Sequence, residues 1–221
     1  MDLKLKDVAE LLGISETTVR RWLAEGKIPA YRLNRQYRFS RAEIEDWLLQ
    51  QRLDPEVDDE KPTSGNMQFS FYRALYRGDV LSNIQAKTKE EVIAKTMEEM
   101  GKRFDLDPAV LTDLFLDRER MMSTALGRGI AVPHSRDFLL NTHYDVMMVV
   151  YPEVPLDYDS LDGQSVHTLF FLFAADDRNH LNLLAKVAHL SSHEKNRAFF
   201  QTKPSRERLL AYIKHWESSL A

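Results

Sequence analysis

Hydrophobic positions near the start of the chain recur at the spacing of short amphipathic helices. Between residues 5 and 12 they fall at i, i+3, i+4 and i+7, which places them on one helical face. A second helix is predicted to begin after Ser15, whose hydroxyl can cap it, and to end at Gly26. The apolar residues of these two helices are Leu5, Val8, Ala9, Leu12, Val19, Trp22 and Leu23. Two short helices joined by a tight turn are typical of a helix-turn-helix.

The pattern then changes to that of a β-hairpin and a third helix. Residues 28–33 and 36–39 are rich in strand-forming side chains, and Asn34 and Arg35 separate them. Ser40 and Glu43 stand in the S-x-x-E order of a capping box, directly before another amphipathic stretch. The hairpin is in the position of a wing, so the stretch predicts a small winged helix-turn-helix domain.

Apolar residues almost disappear between residues 54 and 66, where the sequence is acidic and then rich in Pro, Ser and Gly. Such a segment has too few apolar residues to form a core and predicts a linker. We therefore expect a winged helix-turn-helix domain at 1–53, an acidic linker at 54–66 and a second domain at 67–221.

The second domain alternates predicted helices with strongly apolar runs. Residues 146–151 and 169–175 are nearly continuous apolar runs, which are typical of strands covered on both faces. A further strand is predicted near 80–85 and another at 130–132. Capping signals and helical periodicity predict helices that begin after Thr88 and Asp107 and others at 180–190, 194–200 and 205–216. The expected fold class is α/β, with a mixed sheet covered by helices and a small N-terminal winged helix-turn-helix domain.

Composition narrows the classes of protein that fit this pattern. The chain has 43% hydrophobic and 29% charged residues, no run of membrane-span length and no signal-peptide core, so a cytoplasmic protein without a membrane partner is expected. It contains no cysteine, which excludes disulfides and thiolate metal sites. The seven histidines lack metal-ligand spacing, and we expect neither a metal nor a cofactor.

The net charge of −4 is unevenly distributed. Residues 1–53 carry ten Lys or Arg against eight Asp or Glu, whereas the remainder carries 20 against 26. Basic residues concentrate on the second helix and the hairpin, a distribution that fits contact with DNA. A solvated charged face is the plainer interpretation of such residues. The candidate DNA-contacting residues are Thr17, Thr18, Arg20, Arg21, Arg35 and Arg38.

One motif in the second domain presents a histidine after a glycine-rich turn. Gly127 and Gly129 permit positive φ, and Pro133 keeps the chain extended up to His134. A histidine that accepts a phosphoryl group needs one ring nitrogen held by a hydrogen bond and the other able to attack. It also needs positive charge and hydrogen-bond donors for the phosphate. Candidates for that environment are Arg118, His180, Ser123 and Thr124. The plainer alternatives are an ordinary strand-end histidine, a salt bridge of Arg118 with Asp117 or Glu119, and a solvated His180.

Two family resemblances follow from these residues. The stretch LKDVAELLGISETTVRRWLAEGKIPAYRLNRQYRFSRAEIEDWL resembles the excisionase and MerR-type winged helix-turn-helix family. The stretches MMSTALGRGIAVPHSR and HTLFFLFAADDRNHLNLLAKVAHL resemble the IIA component of the bacterial phosphoenolpyruvate-dependent phosphotransferase system, in its fructose, mannitol and nitrogen-regulatory class. Met122 stands where that pattern commonly has glycine.

The second resemblance implies a role for three residues. His134 would be phosphorylated by a small phosphocarrier protein, Arg118 would contact the phosphoryl group, and His180 would lie beside it. The protein would then be a phosphoryl carrier with a phosphohistidine intermediate, and whether it turns over as an enzyme stays open.

Three hypotheses for function remain. The first is a regulator that binds DNA, with a homodimer on two half-sites as one form, and is switched by phosphorylation of His134. The second is a phosphoryl carrier or sensor that acts through protein contacts without specific DNA binding. The third is an ordinary sugar-transport component that works with separate partners.

Overall fold

The computed structural model describes residues 2–12, 14–33, 36–41, 43–44, 47, 70–135, 137 and 144–220. The predicted linker at 54–66 and the candidate residue Arg35 lie outside these residues. Among the helices that are described, none combines the length and the apolar character that a membrane span requires.

Within the residues that are described up to Ser40, the N-terminal part contains two helices and a three-stranded antiparallel sheet. The helices are α1 (Leu5–Leu12) and α2 (Glu16–Ala24), and the strands β1 (Asp2–Leu3), β2 (Tyr31–Leu33) and β3 (Gln36–Ser40) are ordered β1-β3-β2. The Ser15 side chain accepts a hydrogen bond of 3.1 Å from the backbone N–H of Thr18, as the predicted cap requires. Helical backbone is also present at Arg41, Glu43, Ile44 and Trp47. These elements confirm the predicted helix pair and hairpin.

The C-terminal part contains six helices and five strands among its described residues. The helices are α3 (Ser70–Arg77), α4 (Lys89–Phe104), α5 (Pro108–Met121), α6 (Asp177–Ser192), α7 (Glu194–Gln201) and α8 (Arg206–Ser218). The strands are β4 (Val80–Ile84), β5 (Ala125–Gly127), β6 (Ile130–Ala131), β7 (Val146–Pro152) and β8 (Thr168–Phe173). They form one sheet in the order β4-β7-β8-β6-β5. The sheet is mixed, because β4 with β7 and β6 with β8 are parallel whereas β7 with β8 and β5 with β6 are antiparallel.

Side chains of the two central strands alternate between two apolar layers. In β7, Met147, Val149 and Tyr151 face one layer, while Val146, Met148 and Val150 face the other. Helices α3, α6, α7 and α8 supply residues to the first layer, and α4 and α5 supply residues to the second. Every residue of β7 and β8 is buried, which is the arrangement expected from their continuous apolar sequences. The α/β class with helices on both faces is thereby confirmed.

Side-chain caps fix where several helices begin. Thr88 accepts from the N–H of Glu91 at 3.2 Å, and Asp107 accepts from the N–H of Ala109 at 2.8 Å with Pro108 in the first turn. Two features differ from the sequence-based expectations. The sequence predicts that the helix after Asp107 ends near Arg118 and Glu119, whereas α5 continues to Met121, and the three-residue strand β5 was not predicted.

The N-terminal helices contact the C-terminal part. Helix α1 packs against α6, and apolar residues of both belong to one continuous buried cluster. At the beginning of α6, Nη1 of Arg41 lies 2.9 Å from Oδ1 of Asp177. The structure therefore joins the two parts through an apolar contact and an ion pair, neither of which the sequence predicted.

Candidate functional site

His134 lies beyond the end of β6 and beside β8. It forms a parallel β-bridge with Leu172, and the backbone N–H of Leu172 donates to the carbonyl of Pro133 at 3.0 Å. The imidazole is buried, with 1% of the residue exposed. Its Nδ1 is 2.7 Å from the carbonyl oxygen of Val132. Because a carbonyl oxygen only accepts hydrogen bonds, this contact assigns the proton to Nδ1 and leaves the lone pair on Nε2.

Arg118 donates a hydrogen bond to that lone pair. Its Nε–H donates to Nε2 of His134 at 3.1 Å, and its Nη1 donates to the carbonyl of Met122 at 3.0 Å. Met122 has φ −166° and ψ 138°, an extended conformation that any residue adopts, so the turn needs no glycine there. The neighbouring acids are engaged elsewhere, because Asp117 pairs with Arg120 and Glu119 bonds to Thr124. The arrangement places a fixed positive charge at Nε2 of His134.

His180 completes a buried histidine pair. Its ring packs edge-on against that of His134, with centroids 5.0 Å apart and an interplanar angle of 75°. It lies in the first turn of α6, where its N–H donates to the carbonyl of the capping residue Asp176 at 3.0 Å. The N-terminal end of a helix carries partial positive charge, which favours an anion nearby. Three residues predicted from separate parts of the sequence, His134, Arg118 and His180, are thus brought together.

Ser123 and Thr124 lie in the turn between α5 and β5, and their hydroxyls bond to other protein groups. Ser123 donates to the carbonyl of Tyr158 at 2.6 Å, and Thr124 donates to the Glu119 carboxylate at 2.6 Å. Burial raises the pKa of the Glu119 carboxyl, against the effect of its hydrogen bonds from Thr124. These contacts stabilise the turn that contains Met122, whose carbonyl accepts from Arg118. A direct role of the two hydroxyls toward a phosphoryl group stays a prediction.

The glycine-rich turn has the backbone conformation that the sequence indicates. Gly127, Arg128 and Gly129 all have positive φ, of 74°, 54° and 80°. Gly129 is also tightly packed, because a Cβ atom there would lie 2.4 Å from Cδ2 of His167. The turn is therefore closed by a conformation and a contact that both favour glycine.

The candidate DNA-contacting residues differ in their exposure to solvent. Thr17, Arg20 and Arg21 are exposed along α2, and Arg38 is half-buried on β3. Thr18 is the exception, because only 5% of it is exposed and its hydroxyl lies 2.8 Å from that of Ser15. It serves the helix cap, so we remove it from the proposed DNA surface. The candidate DNA-contacting residues that remain among the described ones are Thr17, Arg20, Arg21 and Arg38.

Comparison with known proteins identifies both parts of the chain. Residues 75–216 match the family described as phosphoenolpyruvate-dependent sugar phosphotransferase system, EIIA 2. The chain belongs to this family. Residues 3–52 match a helix-turn-helix domain, so the chain joins an N-terminal helix-turn-helix to a IIA domain, as the two resemblances predicted.

Relatives of the IIA domain include regulatory and transport proteins. A nitrogen regulatory protein of Escherichia coli is 31% identical over 57% of this chain and 78% of its own length. A fructose-specific EIIABC component of Bacillus subtilis is 31% identical over 56% of this chain but only 20% of its own length. The solved structure of IIA-Ntr from Neisseria meningitidis superposes with a TM-score of 0.55 at 25% identity, over 62% of this chain and 92% of that one.

Some parts of the IIA site carry no signal in the sequence. The carbonyls of Val132 and Met122 hold His134 and Arg118, and backbone atoms are the same for any residue type. Glu119 next to Arg118 was noticed only as a salt-bridge partner, because the sequence does not say which way its carboxylate points. Its partner Thr124, five residues later, becomes apparent only from the folded turn.

Proposed function

We propose that this protein is a regulator of the phosphoenolpyruvate-dependent phosphotransferase system that accepts a phosphoryl group on Nε2 of His134. The observation that carries the proposal is the hydrogen bond from Arg118 to Nε2, together with the bond from Nδ1 to Val132. The first supplies positive charge at the atom that would attack, and the second holds the ring proton on Nδ1, so that Nε2 carries the lone pair.

The transfer itself is a simple displacement. The lone pair of Nε2 forms a P–N bond while the bond between phosphorus and the donor atom breaks, and that electron pair leaves with the donor. For this attack Arg118 has to change partner, from the nitrogen to the phosphoryl oxygens, to which guanidinium groups bind well. His180 contributes a ring nitrogen at the same place, near the positive end of α6. A phosphocarrier protein of this system is the donor class that membership of the IIA family suggests.

Phosphoryl acceptance is tested by transfer from a phosphorylated phosphocarrier protein. We expect labelling of the wild-type chain and none of His134→Gln, while the matched control His215→Gln, on the exposed surface of α8, is labelled normally. Nuclear magnetic resonance of the product distinguishes the two ring nitrogens. Labelling of His134→Gln, or a product phosphorylated at Nδ1, contradicts the assignment.

The proposed output is transcription, through DNA bound by the helix-turn-helix. Arg20 and Arg21 project from α2 into solvent, where side chains of a second helix can meet a DNA groove and its phosphates. Phosphorylation adds negative charge, which suits a switch of such a module. A homodimer on two half-sites stays a prediction, as does the direction of the switch.

DNA binding is tested through its dependence on salt. Each lost phosphate contact is expected to lower the slope of log affinity against log salt concentration by about one. We expect that loss for Arg20→Ala and for Arg21→Ala but not for Arg103→Ala, a basic residue of the IIA domain. Affinity that is equal for all DNA sequences, with unchanged slopes, favours the alternative of a phosphoryl carrier or sensor that acts through protein contacts.

A further inference from the structure

Helix α6 is buried around its whole circumference for more than a turn. Leu181, Asn182, Leu183 and Leu184 are consecutive and all buried, and four consecutive residues point in all directions around a helix axis. A helix that covers one face of a sheet ordinarily keeps a polar stripe in solvent. Here β8, α3 and α7 contact α6 from within the IIA domain, and α1 of the helix-turn-helix adds a further covering element.

The same cover reaches the end of α6 that carries His180. Asp177 and His180 are three residues apart, so their side chains lie on neighbouring positions of one helical face. Arg41 pairs with Asp177, and the side chain of Arg41 is only 14% exposed. A residue of the N-terminal domain is therefore packed within one helical turn of the histidine pair.

The proposed acceptor is shielded from solvent in this arrangement. His134 and His180 are each 1% exposed. Transfer requires the donated phosphorus to come within roughly 3–3.5 Å of Nε2 on an attacking line. A protein donor has to rest on the surface around the acceptor to deliver it, and the beginning of α6 is part of that surface.

We propose that the helix-turn-helix domain and the phosphocarrier protein compete for the face of the IIA domain at the beginning of α6. When the N-terminal domain is docked through α1 and Arg41, the acceptor is shut, and the donor reaches His134 only after this domain moves away. The inference rests on the proposed phosphoryl acceptance and adds what controls it.

Docking leaves the proposed DNA surface accessible. Thr17, Arg20 and Arg21 are exposed although α1 is packed on α6. The contact thus regulates access of the donor to His134 and not access of DNA to α2. Phosphorylation and release of the domain become two aspects of one equilibrium, since only the undocked form accepts the group.

The first test measures single-turnover phosphorylation by a phosphorylated carrier protein. Arg41→Glu places two like charges at the interface and favours the open form, so the rate should rise about five-fold as the competent fraction increases. Arg41→Glu/Asp177→Lys restores an opposite pair and should return the rate toward that of the wild type. The control Lys102→Glu disrupts an exposed pair with Glu99 on α4 and should leave the rate unchanged.

Hydrogen exchange separates opening from unfolding in these variants. Faster exchange in α1 and α6 with unchanged exchange in α4 is the expected pattern for Arg41→Glu. An unchanged rate of phosphorylation in a variant with that pattern overturns the competition. A reduced rate overturns it as well, because it assigns Arg41 to binding of the phosphoryl group.

A second test locks the docked form. The chain has no cysteine, so Arg41→Cys/Asp177→Cys reacts at two positions only, and a short bis-maleimide joins them. The cross-linked protein should lose phosphorylation, while the same variant before cross-linking is labelled. Normal labelling of the cross-linked protein overturns the inference alone. Failure of every form, including the wild type, to accept a phosphoryl group overturns the proposed function.

Discussion

Arg118 approaches His134 through Nε–H while its Nη1 holds the carbonyl of Met122. The guanidinium is thus oriented by the turn before it ever meets a phosphate. A lysine offers one compact charge and lacks the planar set of donors that satisfies both partners at once. The orientation of this group, and not only its charge, is what we expect the transfer to depend on.

Replacement of Arg118 by lysine tests that dependence. Loss of one oriented donor at a developing charge commonly costs about 100-fold in rate, and we expect a decrease of about 10- to 100-fold in phosphorylation of His134. Arg120→Lys is the matched control, because Arg120 lies two residues from Arg118 and makes an exposed pair with Asp117. Single-turnover labelling measures both variants, and equal rates for Arg118→Lys and the wild type contradict the prediction.

His167 gives the stability of the protein a dependence on pH. Burial lowers the pKa of its imidazole below the ordinary value of 6.5. The unfolded chain therefore takes up a proton first as the pH falls, and the stabilising contribution present above pH 6.5 is lost as the pH falls through the folded-state value. We expect the stability advantage of the wild type over His167→Gln to be smaller at pH 5.5 than at pH 7.5 in urea unfolding. An advantage that grows on acidification contradicts this.

The local conformation of the motif around His134 was predictable, because its residue types constrain the backbone. Gly127, Gly129 and Pro133 constrain the backbone, and His134 follows them directly in the sequence. Arg118 and His180 lie far from His134 in sequence, and a family resemblance was needed to associate them with it. The burial of all three was not predictable, because it depends on how α5, α6 and the sheet pack together.

At the scale of elements, Glu217 joins α8 to α3, the first described helix of the IIA domain. Its carboxylate accepts from the N–H groups of Phe71 and Tyr72 at 3.0 and 2.7 Å, which satisfies two donors in the first turn of α3. The same carboxylate lies 2.7 Å from Nζ of Lys186 on α6. One buried carboxylate thereby connects three helices on the same side of the sheet.

Removal of Glu217 should lower the stability of the protein considerably. Glu217→Ala leaves the Lys186 ammonium buried without its carboxylate and two N–H groups without an acceptor, and we expect about 3–5 kcal/mol less free energy of unfolding. The control Glu99→Ala removes an exposed partner of Lys102 and should change stability by no more than about 0.5 kcal/mol. Chemical denaturation compares the two, and similar losses contradict the prediction.

Helices and long strands were predictable where periodicity or a cap marked them. Thr88, Asp107 and Ser15 identify helix starts, and the continuous runs of β7 and β8 identify central strands. Strand β5 was missed because its three residues, Ala125, Leu126 and Gly127, are too few to establish a period. Its identity comes from antiparallel pairing with β6 across the glycine turn.

At the scale of the whole molecule, the sequence predicted two domains but not their contact. Periodicity shows which face of α1 is apolar, and it does not show what covers that face. The stretch from Leu181 to Leu184 did hold a signal, since three leucines in four residues exceed the apolar stripe of a helix that covers only a sheet. That excess of apolar residues indicates that a further element packs against α6.

We expect the predicted linker at 54–66 to strengthen the contact between the two parts of the chain. Residues 48–69 connect the described parts, and they include the acidic and Pro/Ser/Gly-containing segment at 54–66. A short tether holds two domains at a local concentration on the order of millimolar. A contact too weak to form between separate proteins at micromolar concentration is therefore occupied for much of the time within one chain.

We therefore expect the length of the linker to affect the rate at which His134 is phosphorylated. Local concentration falls roughly as the −3/2 power of tether length, so a fourfold longer Gly/Ser-extended linker lowers it about eight-fold. We expect the full-length extended protein to accept phosphoryl groups faster than the wild type, in proportion to the weakened docking, and a rate that ignores linker length contradicts the prediction. A segment almost without apolar residues is in this way expected to determine how readily the buried His134 reacts.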